Sequence, residues 1–361
     1  MAESSVRAAS VTIQDIARLA GVSRSTVSRV LTHHPHVSDR ARRAVERVLR
    51  ETGYRPSAIA RSLATGSSTV IAMVVPSISD PFYAELIAGV EEELAHNYSL
   101  VVVSTNDDLR REHEVFARLH EARVCGIIRA TAQFGEAPPE CQGLPIVLVN
   151  RAPADTTLNA VVSDNFRGGY LATSLLLKWG HRRIGHLALN LALPTSRARH
   201  EGYLQALAEA HISPTLEWTW QCGLSVAEAM TCGQQLIEEG CPVTALFTDS
   251  DSQAIGLIES LSLAGLVVPR DFSIVGYDDN PYGALKPFRL STVRTPRRLM
   301  GELAAQLLKE ILSAGRPLPP RRIVLPVELV ERASVSVPRA EIPLVTRLRS
   351  FPRHVATTGV I

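Results

Sequence analysis

The chain has 361 residues, of which 45% are hydrophobic and 20% are charged. These values are ordinary for globular proteins and exclude a wholly disordered chain, and at roughly 150 residues per domain the length predicts two or three domains. No apolar run approaches the ~20 residues that span a bilayer, and residues 1–10 lack the apolar core of a signal peptide. The five cysteines form no C-x-x-C pair. We therefore expect a cytoplasmic protein with reduced thiols and no membrane partner.

The formal net charge of +2 is unevenly distributed along the chain. Residues 1–66 contain 11 arginines, no lysine and five acidic residues, a net charge of +6, whereas the remainder carries −4. A small basic module on a mildly acidic body suggests a domain that binds a polyanion, although a solvated surface has the same charge signature.

Residues 12–53 predict three short helices. Thr12 is a plausible cap for a first helix over 13–20, and Gly21 supplies the turn that ends it. Ser23 can cap a second helix over 24–31, and Ser38 a third that ends at Gly53. Seven apolar residues with helical spacing are expected to form one small core: Ile16, Ala17, Val22, Val27, Val30, Val45 and Leu49.

The first two of these helices have a helix–turn–helix pattern. Such a motif needs a second helix with a polar start, because that start enters the major groove of DNA. Arg24, Ser25, Ser28 and Arg29 provide this polar face. The alternative, a plain helical hairpin, does not predict a basic and hydroxyl-rich face beside an apolar one.

From residue 70 onward, short apolar runs alternate with helical patterns, which predicts parallel sheets covered on both faces and divided between two α/β lobes. Several polar residues directly follow predicted strands, where doubly wound sheets bind ligands. They are Asp80, Asn150, Asp249, Ser250, Asp251 and Asp278. Strands are predicted at 70–75, 100–104, 126–129, 146–149, 184–189, 245–248, 273–277 and 323–326, and helices at 83–97, 111–122, 168–179, 199–211, 226–239, 252–264 and 297–313.

Ordered motifs over about residues 11–335 resemble the LacI/GalR family of bacterial transcription regulators. In the head these are the stretch from Thr12 to Leu31, Val37-Ser38, T-G-Y-R-P at 52–56 and A-R-S-L at 60–63. In the body they are S-D-P-F-Y at 79–83, G-H-R-R-I at 180–184, R-H-E-G-Y at 199–203, V-G-Y-D-D at 275–279 and L-S-T-V at 290–293.

The resemblance implies a set of DNA contacts. Arg24 and Ser25 match positions that read bases, and Arg29 lies near them. Ser23, Thr26, Ser28, His36 and Ser38 match phosphate contacts, although Ser23 and Ser38 can also be helix caps. Residues 57–64, which begin at Ser57, match a hinge helix that orders when two protomers pair on DNA. Its Leu63 matches a minor-groove wedge and its Ala60 a point of close approach, but Leu63 packed on the body domain is the alternative.

The resemblance also implies an effector site in a cleft between two lobes that the chain crosses three times, as in periplasmic sugar-binding proteins. The matching positions are Asp80, Phe82, Asn150, Arg199, Ser250 and Asp278, with weaker matches at Tyr83, Leu224 and Thr295. Asp80 before Pro81 is equally a helix cap, Phe82 a lid or core aromatic, and Asp278 a brace between the lobes. Asn150, Ser250 and Leu224 depart from the usual family residues, so a sugar, a sugar phosphate and a sugar acid all remain open.

The expected fold is an N-terminal all-α helix–turn–helix head with a hinge helix, followed by a two-lobed α/β domain of parallel doubly wound sheets. The expected segments are a flexible N-terminus (1–10), a DNA-binding domain (11–56), a hinge helix and linker (57–68), an effector-binding and dimerisation domain (69–336) and a flexible tail (337–361).

The expected function is a homodimeric regulator, most simply a repressor, that binds near-palindromic operator DNA under the control of a small metabolite. No catalytic, metal or cofactor motif is found. The alternatives are a sugar-modifying enzyme with an accessory DNA-binding head and, less compatible with the basic head, a transport-binding protein.

Overall fold

The computed structural model describes residues 11–31, 36–54, 68–131, 139–141, 143–213, 218–316 and 318–339. Three predicted segments lie outside the described residues: the N-terminus over 1–10, the hinge helix with Ser57, Ala60 and Leu63, and the tail beyond residue 339. The chain divides into two compact units, residues 1–70 with 123–125 and the remainder. None of the described helices is long and apolar enough to cross a membrane.

The head consists of the three predicted helices, and their bounds confirm the prediction: α1 (Ile13–Ala20), α2 (Arg24–Leu31) and α3 (Asp39–Thr52). Thr12 and Asp15 form a reciprocal capping box at the start of α1, and Gly21 ends the helix with a left-handed φ of 64°. The buried core is made of Ile16, Ala17, Val27, Val30, Val45 and Val48.

One member of this core differs from the prediction. Val48 is buried, whereas the predicted Leu49 packs at the edge of the core together with Val22. Residues three and four positions after Val45 both lie beside it on a helix, so spacing alone does not decide which of the two is central.

Lobe one of the body is a six-stranded sheet made of β1 (Val70–Val75), β2 (Ser99–Ser104), β3 (Gly126–Arg129), β4 (Ile146–Val149), β5 (Asn159–Ser163) and β11 (Arg322–Leu325). The strands lie in the order β11-β5-β4-β3-β1-β2. Its helices are α4 (Pro81–Leu94), α5 (Leu109–Glu121) and α10 (Arg297–Ala314), with a short 3-10 turn at Pro139–Cys141. The pairs β1–β3, β3–β4, β4–β5 and β5–β11 are parallel.

Lobe two is a second six-stranded sheet made of β6 (Ile184–Ala188), β7 (Thr219–Gln221), β8 (Ala245–Thr248), β9 (Ser273–Asp278), β10 (Ser291–Arg294) and β12 (Glu328–Val330). The strands lie in the order β12-β10-β9-β8-β6-β7. Its helices are α6 (Asn165–Lys178), α7 (Pro194–Glu209), α8 (Val226–Glu238) and α9 (Asp251–Leu263). Only β12 runs antiparallel to its described neighbour, β10.

The chain passes between the two lobes three times, after β5, after β10 and after β11, as expected. The second passage returns α10 to lobe one, where it packs tightly on α4. A Cβ added at Gly89 would lie 2.1 Å from the carbonyl oxygen of Arg298, and one at Gly301 would lie 2.2 Å from that of Leu86. The two glycines therefore permit the close helix contact that holds the returning segment.

Four strands were absent from the prediction: β5, β7, β10 and β12. β7 and β12 have only three residues each and lie at sheet edges, so they carry too few apolar positions to give a period. The largest error in a predicted helix start concerns α7. α7 begins at Pro194, so Arg199 lies in its second turn rather than at its first residue.

Candidate functional site

The start of α2 presents a polar, solvent-facing surface. Val27 and Val30 are buried in the head, while Ser23, Arg24, Ser25 and Arg29 are exposed and Thr26 and Ser28 are half-buried. The Ser23 hydroxyl accepts the backbone N–H of Thr26 at 3.1 Å and lies 2.7 Å from the hydroxyl of Ser25. The structure thus brings six of the predicted DNA-contact residues together around one helix start.

The turn before α3 holds the two other predicted contacts that the structure describes. His36 and Ser38 are both exposed there. The Ser38 hydroxyl accepts the backbone N–H of Ala41 at 3.4 Å and is the N-cap of α3. The predicted capping role of Ser38 is therefore confirmed, and its exposed position remains compatible with a phosphate contact.

All six predicted effector residues line one small cavity of about 30 Å³ between the lobes. Asp80, Phe82 and Asn150 come from lobe one, and Arg199, Ser250 and Asp278 come from lobe two. The same cavity is also lined by Tyr83, Arg151, Leu189, Thr195, Leu224 and Asp249.

The inner cavity has room for about one water molecule. A hollow of about 700 Å³ shares Asp80, Leu189 and Leu224 with it. A second hollow, of about 430 Å³, shares Asn150 and Thr195 with the inner cavity.

Arg199 is fixed from several sides. Its Nε donates to Asn165 Oδ1 at 2.8 Å, its Nη1 donates to the carbonyl of Asp249, and its guanidinium stacks on the Tyr277 ring at 3.6 Å from the centroid. Cation–π stacking and charge-assisted hydrogen bonds hold a buried guanidinium in one orientation. Arg199 is thus presented to the cavity as a rigid donor.

Asp249 connects three elements around Arg199. Its carboxylate accepts His186 Nε2 at 3.0 Å, the backbone N–H of Leu189 at 2.8 Å and the Ser196 hydroxyl. Burial acts in the opposite direction, but His186, Arg199 and the Leu189 N–H hold the pKa of Asp249 below its ordinary value. Asp249 is therefore an ionised carboxylate that fixes the loop after β6 and the start of α7. We call this hydrogen-bonded group the Asp249 clasp.

The clasp extends to a second histidine. Because a carboxylate only accepts, His186 Nε2 donates to Asp249, while His186 Nδ1 lies 3.0 Å from His200 Nδ1, so that one of these two nitrogens donates to the other. The two rings stack with centroids 5.2 Å apart. Burial and the neighbouring His186 lower the pKa of His200 to about 4.

Two cavity residues carry buried acceptor atoms that lack a hydrogen-bond partner among the described residues, namely Asn150 Oδ1 and Asp278 Oδ1. Both residues have a positive φ, 65° for Asn150 and 105° for Asp278, which residues other than glycine adopt at a cost in free energy. Burial raises the pKa of Asp278 to about 7, with Arg199 opposing the rise. Unpaired polar atoms held on strained backbone are typical of sites completed by a ligand.

The remaining cavity residues have structural roles as well. Asp80 caps α4 by accepting the backbone N–H of Phe82 at 2.9 Å, with Pro81 as the first helical residue. Ser250 caps α9 by accepting the backbone N–H of Gln253 at 3.1 Å. Phe82 is buried edge-to-face against Tyr83, with centroids 5.0 Å apart. These caps direct the helix starts toward the cavity without excluding a ligand contact.

Sequence reasoning missed several residues that shape the site. Arg151 is 2% exposed and pairs with Asp107 through bonds of 2.5 and 3.2 Å. The sequence could have indicated Arg151, because it directly follows Asn150. Nothing in the sequence places Asn165 and His186 at the site, because only the fold brings them there. Thr295, a weaker match, is buried with an unpartnered hydroxyl but does not line the small cavity. Among the described residues, no group of three or more His, Cys, Asp or Glu side chains is placed to hold a metal ion.

Both the head and part of the body match models of known protein families. Residues 12–57 match the model described as bacterial regulatory proteins of the lacI family, and residues 173–335 match the periplasmic binding protein-like domain. The chain is 34% identical over 328 residues to the ribose operon repressor of Haemophilus influenzae, covering 90% of this chain and 98% of that protein. It is 32% identical over 329 residues to the transcriptional repressor PurR of Mannheimia succiniciproducens, with the same coverage.

Solved structures agree with these matches. The Lac repressor dimer bound to operator and an anti-inducer superposes with a TM-score of 0.78 at 27% identity, over 90% of this chain and 99% of that one. A LacI family regulator from Enterococcus faecium with bound ribose gives 0.66 at 28% identity, over 75% of this chain and 100% of that one.

Together these matches identify a DNA-binding transcriptional regulator with a two-lobed effector domain. The chain belongs to the LacI family. Because the relatives are transcriptional repressors, the family assignment also sets aside the alternative of a sugar-modifying enzyme.

Proposed function

We propose that this protein represses transcription by binding operator DNA through the exposed start of α2, with Arg24 and Ser25 reading bases and Arg29 beside them. Ser23, Thr26, Ser28, His36 and Ser38 contact the flanking phosphates. A bidentate contact from arginine to guanine contributes roughly 1–3 kcal/mol of discrimination. The observation that supports this assignment is the exposure of Arg24, Ser25 and Arg29 on a helix whose other face is buried in the head.

We further propose that the protein acts as a homodimer in the cytoplasm on a near-palindromic operator. The Lac repressor to which it is similar was solved as a dimer on operator DNA. The proposed hinge residues Ser57, Ala60 and Leu63 would then lie between the two heads and the duplex. Selection of binding sites from random DNA tests this arrangement, because a dimer enriches inverted half-sites whereas a single head enriches one half-site.

We propose a neutral, hydroxyl-rich metabolite of the sugar class as the effector. The carrying observation is that Asn150 Oδ1 and Asp278 Oδ1 are buried acceptors without partners in a cavity where Arg199 is a fixed donor. Sugar hydroxyls both donate and accept, so one ligand satisfies both kinds of group. The phosphate of a sugar phosphate or the carboxylate of a sugar acid would instead lie near the acidic side chains of Asp80 and Asp278, which disfavour a second negative charge. Relatives solved with ribose and with cellobiose support the same ligand class.

A thermal-shift panel of neutral sugars, sugar phosphates and sugar acids tests the effector site. Binding raises the midpoint by mass action, by an amount worth about 2.7 kcal/mol at a ligand concentration of 100 Kd. We expect a neutral sugar to raise the midpoint of the wild-type protein and to lose most of this effect in Asn150→Gly. Glycine accepts the φ of 65° at this position, so the variant removes the amide without straining the backbone. A response confined to sugar acids or sugar phosphates would contradict the ligand class.

A further inference from the structure

The hollow of about 430 Å³ lies where the chain passes from β5 of lobe one to α6 of lobe two. Its volume is within the range of small-molecule sites. We call it the crossover hollow. Lobe one contributes Ser163 of β5 and Val324 of β11 to its wall, and lobe two contributes Phe166 of α6 and Thr195 of α7. A ligand in the crossover hollow therefore contacts both lobes.

Two buried polar atoms on the wall of the crossover hollow lack a hydrogen-bond partner among the described residues, namely Ser163 Oγ and Asn150 Oδ1. Ser163 is only 3% exposed, so bulk water hardly reaches its hydroxyl. An unpaired buried polar atom costs free energy, and a ligand hydroxyl that pairs with it removes this cost. The crossover hollow therefore has unmet capacity to bind hydroxyl groups.

The hollow of about 700 Å³ differs in this respect. Within the part of the chain that the structure describes, none of the residues that line it carries a buried side-chain atom without a partner. Its size also admits a sugar ring, so volume alone does not separate the two hollows. The unpaired atoms do separate them, because they favour a hydroxyl-bearing ligand in the crossover hollow.

The rest of the wall suits a neutral ring. Phe166 and Val324 are 44% and 52% exposed, and they give the crossover hollow an apolar surface from each lobe. Apolar walls with a few polar groups are typical of ligand sites. The charged residues of the wall are two arginines and two acids, so an anion gains no advantage there: Arg197, Arg322, Asp164 and Glu201. A sugar ring matches this wall through its C–H faces and its hydroxyl edge.

The inner cavity is too small for a ring. Its volume of about 30 Å³ has room for about one water molecule, and a hydroxyl group is of similar size. Asn150 lines both the inner cavity and the crossover hollow, whereas Arg199 and Asp278 belong to the wall of the inner cavity. A ring in the crossover hollow can therefore extend one hydroxyl past Asn150 toward Arg199 and Asp278.

One side chain connects the walls of the two spaces. Asn165 Nδ2 donates to the carbonyl of Ser163 at 3.1 Å, and Asn165 Oδ1 accepts Arg199 Nε at 2.8 Å. Asn165 is itself buried at the start of α6. The wall of the crossover hollow is thus fixed relative to Arg199, so a ligand that contacts both meets a preformed arrangement.

We propose that the crossover hollow is the subsite for the sugar ring of the effector. One hydroxyl of the ring pairs with Ser163 Oγ, another donates to Asn150 Oδ1, and the apolar face of the ring packs on Phe166. A further hydroxyl enters the inner cavity and meets Arg199. This placement rests on the proposed sugar effector, and it adds Ser163 and Phe166 to the residues that determine its affinity.

Titration calorimetry of the full-length protein with ribose, xylose, glucose, galactose and cellobiose tests the placement. For a sugar that binds the wild-type protein, Ser163→Ala should lower the affinity roughly 3- to 10-fold through loss of one hydrogen bond. Its stability should not fall, because the variant removes an unpaired buried hydroxyl. Phe166→Ala should lower the affinity by a similar factor, because the ring loses its apolar contact. Wild-type affinity in both variants would overturn the placement.

Matched controls lie in the hollow of about 700 Å³. Ser252 and Val226 line it, and Val226 is 39% exposed, similar to the 44% of Phe166. Ser252→Ala and Val226→Ala should bind the sugar with wild-type affinity. Losses in these two variants, instead of in those at Ser163 and Phe166, would put the ring in the larger hollow and overturn the placement. Binding of no neutral sugar would refute the effector class on which the placement rests.

Phe166→Trp gives a second readout that needs no loss of affinity. Because the side chain at this position is largely exposed, the larger ring fits without repacking the core. Sugar binding should shift the added fluorescence to the blue and protect it from quenching by acrylamide, whereas Val226→Trp should show neither change. Phe166→Trp fluorescence that stays open to acrylamide when the sugar is bound would overturn the placement, whatever Val226→Trp shows.

Discussion

Polar side chains cluster both at the start of α2 and in the interlobe cavity, but they are exposed to water at α2 and buried in the cavity. At α2, Arg24 and its neighbours are in water and their hydrogen bonds are local. In the cavity, Asn150 and Asp278 are buried, strained and partly unpaired. An exposed face exchanges water for DNA at little cost to folding, whereas a buried face lowers stability until a ligand completes it. The two faces should therefore respond differently to mutation.

Asp278→Asn should give the largest effect, and it should be a gain of stability. An unfolded aspartate loses its proton near pH 3.8, but the folded pKa of Asp278 is about 7. The folded state thus binds more protons between these values, so the stability of the wild-type protein falls as the pH rises through this range. Between pH 5 and 8 we expect the variant to gain on the order of 2–3 kcal/mol relative to wild type in urea unfolding.

The adjacent Asp279→Asn is the matched control with the opposite sign. Asp279 forms ion pairs with Arg294 and Arg332. Burial opposes them, but these arginines lower the pKa of Asp279. Its replacement should reduce stability at neutral pH and have little effect at low pH. If both variants lost stability at pH 8, the unpaired character of Asp278 would be refuted.

Arg24→Ala should weaken the recognition of one base pair in each half-site. Loss of a bidentate arginine contact costs roughly 1–3 kcal/mol, so affinity for a selected operator should fall about 5- to 150-fold while the melting temperature stays unchanged. Arg18→Ala is the control, because Arg18 is exposed on α1 and pairs with Asp15. Fluorescence anisotropy on the selected duplex measures both. An unchanged base preference in Arg24→Ala would remove its role in reading DNA.

His200→Gln should alter stability only in acid. The folded pKa of His200 is about 4 against an ordinary value of 6.5, so the unfolded state binds more protons between these values. Wild-type stability should therefore decline as the pH falls from 6.5 toward 4, and the variant should remove about 1 kcal/mol of that decline at pH 5, after discounting for solvent at this half-buried ring. Glutamine keeps both a donor and an acceptor toward His186. The exposed His120→Gln is the control, and equal pH profiles for wild type and His200→Gln would contradict the assignment.

The smallest predicted effect separates two roles of Ser38. Ser38→Ala should lower the stability of the head by about 1 kcal/mol through loss of the cap. Ser38→Asp keeps a good cap, so its stability should match wild type, but the added charge repels phosphate and should weaken binding to any duplex. A Ser38→Asp protein that bound DNA normally would leave Ser38 as a cap alone.

The same contrast explains what could be predicted from sequence. The head could be predicted from local signals. The capping residues, the glycines at helix ends and the spacing of the valines indicated all three helices. In the body, the predicted cap at Asp80 and the polar residues after strands, Ser250 among them, indicated the cavity. The family resemblance then selected six of the twelve residues that line it, although their role as ligand contacts stays a prediction.

The remaining features depend on contacts between distant residues. The Asp249 clasp requires His186 on β6, Ser196 on α7 and the end of β8 to meet, and no spacing signals this. The edge strands β7 and β12 are too short to show a period. Sequence patterns report which residues leave a strand or cap a helix, but not which buried atoms remain without a partner.

The central claim is that a ligand in the interlobe cavity changes the affinity of the protein for DNA. Its most direct test is the anisotropy of a labelled duplex, selected from random DNA by the full chain, titrated with protein in the presence and absence of the neutral sugar that stabilises it most. We predict at least a roughly fivefold change in the apparent Kd for wild type and none for Asn150→Gly. A sugar that binds the wild-type protein yet leaves its affinity for the duplex unchanged would contradict the account.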